Sequence, residues 1–468
     1  MSMRPFSGLH TASRTLIQHK TSIPCPQPAW VTNTSHTRVR PRPGSLPARD
    51  HQSYHRPPPR PFAPLRNRTD RTQSRDTRAF ISSLPPMSGA MYNPKAKQAV
   101  KQSGKGGPSP EPRPSASVVL LSPTNQVLLL RRVKTSSAFP SAHVFPGGNL
   151  SDFHDGKVPP PDDPKRHQDS LQYRLAAIRE TFEESGILLA REIGKKDGPL
   201  LSLPAAERDR ARRAIYKNEI RFVDWLKSVG GEPDTDSLHP FTRWLTPKPT
   251  PKRFSTQMYL YMLPLSAGTD MAASIPQDPA IEAAEREAQI PTPDGSEVMT
   301  ARFDDPSAWN ARNLAGKSIM FPPQVFLIQM VGQFVQGPHP TKDSDKNNKT
   351  AHYAAQREKL LAWLKTTPTC NKDKYASQAA SQIPWADKCI SPVSIGLRKA
   401  DGRAILTLDK PGPELRGTGR GGDWERVVLV KFGGPGPTNV EIVDRDEIFA
   451  EMYADRERES EPEGASKL

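Results

Sequence analysis

The residues with the most chemical content lie in one short run, Arg179-Glu180-Thr181-Phe182-Glu183-Glu184-Ser185-Gly186-Ile187. At 3.6 residues per turn, Glu180, Glu183 and Glu184 share one helix face within about a turn. Like charges at that spacing destabilise an isolated helix. A divalent cation offsets the repulsion directly, and Mg²⁺ or Mn²⁺ favours carboxylate oxygen. The competing reading is a solvated acidic face, which is what a bare Glu-Glu pair usually means.

The elements that must carry this face follow from periodicity. Leu171, Leu175, Ile178 and Phe182 recur at three or four residues, which predicts a helix over Leu171–Ser185 ended by Gly186. Upstream, Ser117–Leu121 and Gln126–Arg132 read as a hairpin around Pro123-Thr124-Asn125. Phe145-Pro146-Gly147-Gly148 reads as a loop, and the Asp- and Pro-rich stretch 149–169 as an exposed loop. A second helix is expected over Ala205–Lys227. Strands are expected at 241–245, 257–263, 297–303, 404–408 and 427–431, and helices at 322–335 and 354–365.

Glycines and acids arranged this way resemble the Nudix box, G-x5-E-x7-R-E-U-x-E-E-x-G-U, where U is apolar. Arg179 to Ile187 matches its second half, and Phe145–Gly148 matches the loop that opens it. The middle departs. Leu171 stands where the box has its first Glu, and about 17 extra residues separate loop from helix. Asp169 or Asp152 is the expected replacement for the Glu that pairs with Arg179. The interruption is similar to that of the peroxisomal coenzyme A diphosphatases. So are Phe139-Pro140-Ser141-Ala142-His143-Val144-Phe145-Pro146-Gly147-Gly148 and the segments Arg243–Pro247 and Lys252–Thr256.

The resemblance implies an α/β fold, a Nudix α/β/α sandwich with a mixed sheet. It implies a diphosphatase using Mg²⁺ or Mn²⁺ held by Glu180, Glu183, Glu184 and the carbonyl of Gly147. Arg179 orients a carboxylate. Glu297 is the expected distal acid, with Glu285 and Glu287 as alternatives. Phe139, His143 and Arg253 are the expected contacts to CoA or acyl-CoA, with core or surface roles as the bland reading. The rivals are another peroxisomal dinucleotide such as NADH as substrate, or a non-catalytic Nudix interaction module.

Charge and composition bound the rest. The 468-residue chain carries a net charge of +16, of which residues 1–112 supply +14 together with 18 of its 51 Pro. Such a segment reads as a disordered basic arm, and it lacks the aromatic interleaving of a nucleic-acid binder. Three Cys without CxxC spacing exclude a disulfide framework or zinc ribbon, and no apolar run reaches a membrane span. The expected organisation is 1–112 arm, 113–337 Nudix domain, 338–350 linker, 351–455 C-terminal α+β extension and 456–468 flexible tail. The closing Ser466-Lys467-Leu468 reads as a peroxisomal import address, so an import receptor is an expected partner and the peroxisome the expected location. The acid-free first 49 residues support a mitochondrial alternative.

Overall fold

The strand β1 (Arg113–Leu121) is buried at every position but its first, so its two faces must both be covered. That is the signature of a strand lying between two helical layers. The structure, a computed structural model, describes residues 109–133, 140–265, 298–335, 346–434 and 436–460. Residues 1–108 of the expected arm, Phe139, Glu285, Glu287, Glu297 and Ser466–Leu468 lie outside those residues.

The main sheet has eight strands. β1 runs parallel to β8 (Phe254–Met262), in register from Arg113 opposite Phe254 to Leu121 opposite Met262. On its other side β1 pairs antiparallel with β2 (Val127–Arg132) at one end and with β4 (Gly147–Asn149) at the other. β2 also pairs with β3 (His143–Val144) and β9 (Val298–Asp304), and β8 pairs with β7 (His239–Leu245). β10 (Cys389–Ile390) joins the far edge, parallel to β7. A two-stranded ribbon of β5 (Ala190–Glu192) and β6 (Gly231–Pro233) stands apart.

One face of the sheet packs Val118, Leu120, Leu128 and Leu130 against α1 (Leu171–Ser185), α2 (Ala205–Tyr216) and α3 (Phe222–Ser228). Phe182 of α1 stacks on Trp225 at 5.1 Å between ring centroids. The other face packs Val119, Leu121, Val127 and Leu129 against α4 (Pro306–Leu314), α5 (Pro322–Gly332) and α6 (Lys346–Lys365). The expected α/β/α sandwich with a mixed sheet is the fold observed.

Several expectations are corrected. α1 has the predicted bounds, but Leu171 is exposed, and the buried face is Tyr173, Ala176, Ala177, Ile178 and Phe182. The single helix at 205–227 is two helices, broken where Asn218 adopts φ 57°. The expected linker 338–350 already contains the start of α6 at Lys346. The expected C-terminal extension is not a separate body. It supplies β10 to the main sheet, and its own four-stranded sheet runs β11 (Val393–Leu397), β12 (Ala404–Leu408), β13 (Asp423–Gly433), β14 (Gly436–Asp444). Leu406, Leu408, Val428, Val430, Val440 and Ile442 from that sheet belong to the same core as Val119 and Leu129. The last helix, α7 (Arg445–Ser460), runs into the segment expected to be a flexible tail.

Candidate active site

The site is built where the C-terminal half of α1 meets the β4 loop. Gly186 ends α1 at φ 76°, a left-handed cap suited to glycine, and its N–H bonds the Phe182 carbonyl. Arg212 of α2 donates from Nε (3.0 Å) and Nη2 (2.7 Å) to the Glu183 carbonyl, satisfying another open end of the helix. The acidic turn is therefore fixed from outside.

Two glycines bring the loop against the acids. A Cβ on Gly148 would stand 2.4 Å from the Glu180 carboxyl carbon, and a Cβ on Gly147 would stand 2.3 Å from the Ala116 carbonyl. Only a residue without a side chain lets β4 approach both α1 and β1 this closely. The Gly147 N–H donates to Glu184 Oε2 at 2.9 Å. Arg132, closing β2 on the same sheet face, lies 3.7 Å from Glu184 Oε1.

Arg179 organises the remaining acids. Its Nη1 bonds Glu180 Oε1 and Glu183 Oε1, each at 2.8 Å, and its Nη2 bonds the Asn149 carbonyl at 3.0 Å. Its other edge is held by Asp155, with Nε to Oδ1 at 3.0 Å and Nη2 to Oδ2 at 2.9 Å. Both side chains are buried. Asp155 also accepts from Ser151 N–H at 2.8 Å. Asp155 thus replaces the box Glu, and neither residue named from the sequence does so. Asp169 pairs with Arg174 at 2.6 Å and accepts from Tyr259, while Asp152 caps Val158.

The interrupting segment is consequently not a free loop. His154 bonds Asn218 at 2.8 Å through Nε2, while its Nδ1 accepts from Phe222 N–H at 3.2 Å. His167 bonds Ser255 at 2.9 Å. His154, Asp155 and His167 are buried, although the segment holds no strand beyond Asn149 and only one short 3₁₀ turn, Pro164–His167.

Electrostatically the pocket favours protons in the absence of a cation. Burial pushes Glu183 up to about 7 against the pull of Arg179. Burial and the adjacent Glu180 push Glu184 up to about 8. Burial raises Glu180 as well. Among the described residues, no three His, Cys, Asp or Glu side chains converge as a preformed metal cage. The donor set nevertheless fits a hard divalent ion. Three carboxylates lie on one face within one turn of α1, and each carries a raised proton affinity that a cation would displace.

Two expected substrate contacts are corrected. His143 is paired with Arg131 on the sheet face opposite the acids, its ring centroid 5.6 Å from that of Trp309. Burial holds it down to about 4. Arg253 is wholly buried and bonds Glu414 at 2.6 Å and the Thr246 carbonyl at 3.0 Å, so it is an internal ion pair and not a surface phosphate contact. Arg132 and Asp155 were missed from sequence. Nothing in the local pattern separates them from neighbouring Arg131 and Asp152.

A mixed sheet between helical layers, a diglycine loop seated on an R-E-x-x-E-E helix and a buried Arg–carboxylate lock are the arrangement of a Nudix domain. Residues 161–274 match the family model described as the NUDT19 Nudix domain. The chain is similar to the acyl-coenzyme A diphosphatase NUDT19 of Gallus gallus, 32% identical over 182 residues, covering 30% of this chain and 48% of that one. It is similar to the Homo sapiens protein of the same name, 27% identical over 254 residues, covering 45% and 61%. The chain thus spans about half to three-fifths of the length of these relatives. A NUDIX hydrolase structure from Alicyclobacillus acidocaldarius aligns at 21% identity and a TM-score of 0.36, covering 48% of this chain and 92% of that one.

Proposed function

We propose that the chain is a metal-dependent diphosphatase acting on CoA or acyl-CoA. The products are adenosine 3′,5′-bisphosphate and 4′-phosphopantetheine or its acylated form. The observation that carries the reading is the seating of Glu180 and Glu184 on Gly147–Gly148, with Arg179 locked by Asp155. The similarity to acyl-coenzyme A diphosphatases supports the substrate class.

Glu180, Glu183 and Glu184 would hold Mg²⁺ or Mn²⁺. When bound, the ion neutralises charge developing on the diphosphate and lowers the pKa of water. The chain's own part is positional. Arg179 spaces Glu180 from Glu183 by bonding both. The Gly147 N–H fixes the Glu184 carboxylate. Burial raises the proton affinity of Glu183 and Glu184 in the metal-free chain, and a bound cation would displace those protons.

The test is a panel of CoA, acyl-CoA, NADH and other pyrophosphates with Mg²⁺ or Mn²⁺, with products separated by chromatography. Preferred cleavage of CoA or acyl-CoA supports the reading, and preferred cleavage of NADH replaces it. We also propose import into peroxisomes, through capture of Ser466-Lys467-Leu468 by the import receptor. A tag fused after Leu468 should abolish import, while a tag before Met1 should not. The opposite sensitivity would favour mitochondria.

A further inference from the structure

About two turns back along α1 from the acids, the same sheet face carries a second polar constellation that the proposed reaction does not use. Arg243 on β7 is fully buried, with its guanidinium 4.5 Å above the ring of Tyr173. Its Nη1 donates to Ser255 Oγ at 3.2 Å. Its Nε and Nη2 have no hydrogen-bond partner among the described residues.

Those two atoms lie on one edge of the guanidinium and donate in parallel, the fork that fits two oxygens of one oxyanion. The surroundings are cationic. Ser255 also bonds His167, whose carbonyl accepts from Arg420 Nη1 at 2.5 Å. The Nε of Arg166, from the turn beside His167, is likewise buried without a partner. The nearby carboxylate, Glu414, gives Oε1 to Arg253 at 2.6 Å, while its Oε2 is buried without a hydrogen-bond partner among the described residues. Burial, Arg243 and Arg166 together hold His167 down to about 4, so His167 stays neutral and adds no positive charge. Buried guanidinium groups are costly unless paired, and unsatisfied buried donors are rare in folded proteins.

We propose that the free edge of Arg243, with Arg166 and Arg420 beside it, binds a phosphate group between β7, the Pro164–His167 turn and the loop carrying Arg420. A doubly charged oxyanion suits the site better than a halide, because it offers two oxygens to one fork and meets several cations. The bound group ties the segment that interrupts the box to the C-terminal part of the chain.

The experiment is calorimetric titration of inorganic phosphate into the full chain, without divalent metal and at constant ionic strength set with chloride. Saturable binding is expected. Arg243→Gln should weaken it by at least about tenfold, as expected for lost hydrogen bonds to a charged group. Arg243→Lys keeps the charge above Tyr173 but lacks the fork, so it should also weaken binding. It serves as the second variant should the first not fold. Absence of phosphate binding to the unmodified chain, or unchanged binding by Arg243→Lys, overturns the proposal. A second arm rests on the proposed activity and separates two sources of the phosphate. If Arg243→Lys abolishes discrimination between CoA and dephospho-CoA in KM, the occupant is the substrate's 3′-phosphate. If discrimination is unchanged while phosphate binding is lost, it is free phosphate.

Discussion

Replacing Asp155 by Asn tests the central claim about the interrupted box. The carboxylate is wholly buried and makes two bonds to Arg179, at 3.0 and 2.9 Å, plus one from Ser151 N–H. Breaking a buried ion pair from one side costs about 3–5 kcal/mol. Here Arg179 keeps Glu180, Glu183 and the Asn149 carbonyl, and Asn retains one acceptor oxygen. The expected loss is therefore below that range, about 2–3 kcal/mol, and corresponds to roughly 4–12 °C in Tm. The Arg179 guanidinium would also lose the hold on its other edge, so its position between Glu180 and Glu183 would loosen. Turnover on the preferred pyrophosphate should fall by about 10–100-fold, on the order of 1.4–2.8 kcal/mol in the barrier. Asp155→Glu keeps the charge and should recover part of both losses. Thermal unfolding and steady-state kinetics on the three proteins decide it. A variant Asp155→Asn with unchanged Tm and unchanged kcat would show that Arg179 does not depend on this lock.

Other outcomes follow from the same geometry. Gly148→Ala drives a Cβ into the Glu180 carboxyl, so activity should drop at least about tenfold while circular dichroism stays native; wild-type kinetics would refute the close approach. Glu184→Gln removes a repelling, buried carboxylate, so metal-free Tm should hold or rise while kcat falls by orders of magnitude; a normal rate at saturating Mg²⁺ would remove Glu184 from the metal set. Glu183 and Glu184 have folded-state pKa values near 7 and 8, above those of the unfolded chain. The metal-free fold therefore binds more protons than the unfolded chain and loses stability as pH climbs through that range. Mg²⁺ should accordingly raise Tm more at pH 8.5 than at pH 5.5, as differential scanning fluorimetry would show, and the reverse order would contradict the assignment. Arg253→Met leaves Glu414 buried without its partner. It should lower Tm by several degrees without changing KM for CoA, and a selective rise in KM would restore Arg253 as a substrate contact.

What was legible in the sequence is what depends on neighbours within a turn or two. The bounds of α1 follow from its repeating apolar positions and from Gly186, and the acidic face follows from the same 3.6-residue period. Of its expected apolar positions Ile178 and Phe182 are buried, but Leu171 is exposed and Tyr173, Ala176 and Ala177 are buried instead, a rotation of the face that side-chain hydrophobicity alone does not reveal. Asp155 reaches Arg179 across 24 residues of irregular chain, where no period links the two. Arg253 and Glu414 neutralise each other over 161 residues, so from sequence each looks like a solvated surface charge. The break between α2 and α3 turns on the positive φ of Asn218, whose side chain is also committed to His154.

The parallel pairing of β10 with β7 carries a consequence for synthesis. Cys389 and Ile390 sit opposite Arg243 and Trp244, so the edge of the sheet next to the acidic helix's face is completed by residues made about 146 positions later. At about 5–20 residues per second, a ribosome leaves that edge open for roughly 7–30 s. During that interval β7 presents unpaired backbone groups and apolar side chains such as Phe241, the kind of edge that recruits other strands. A nascent chain truncated before β10 should therefore engage chaperones or aggregate even though every acid of the site has already been made.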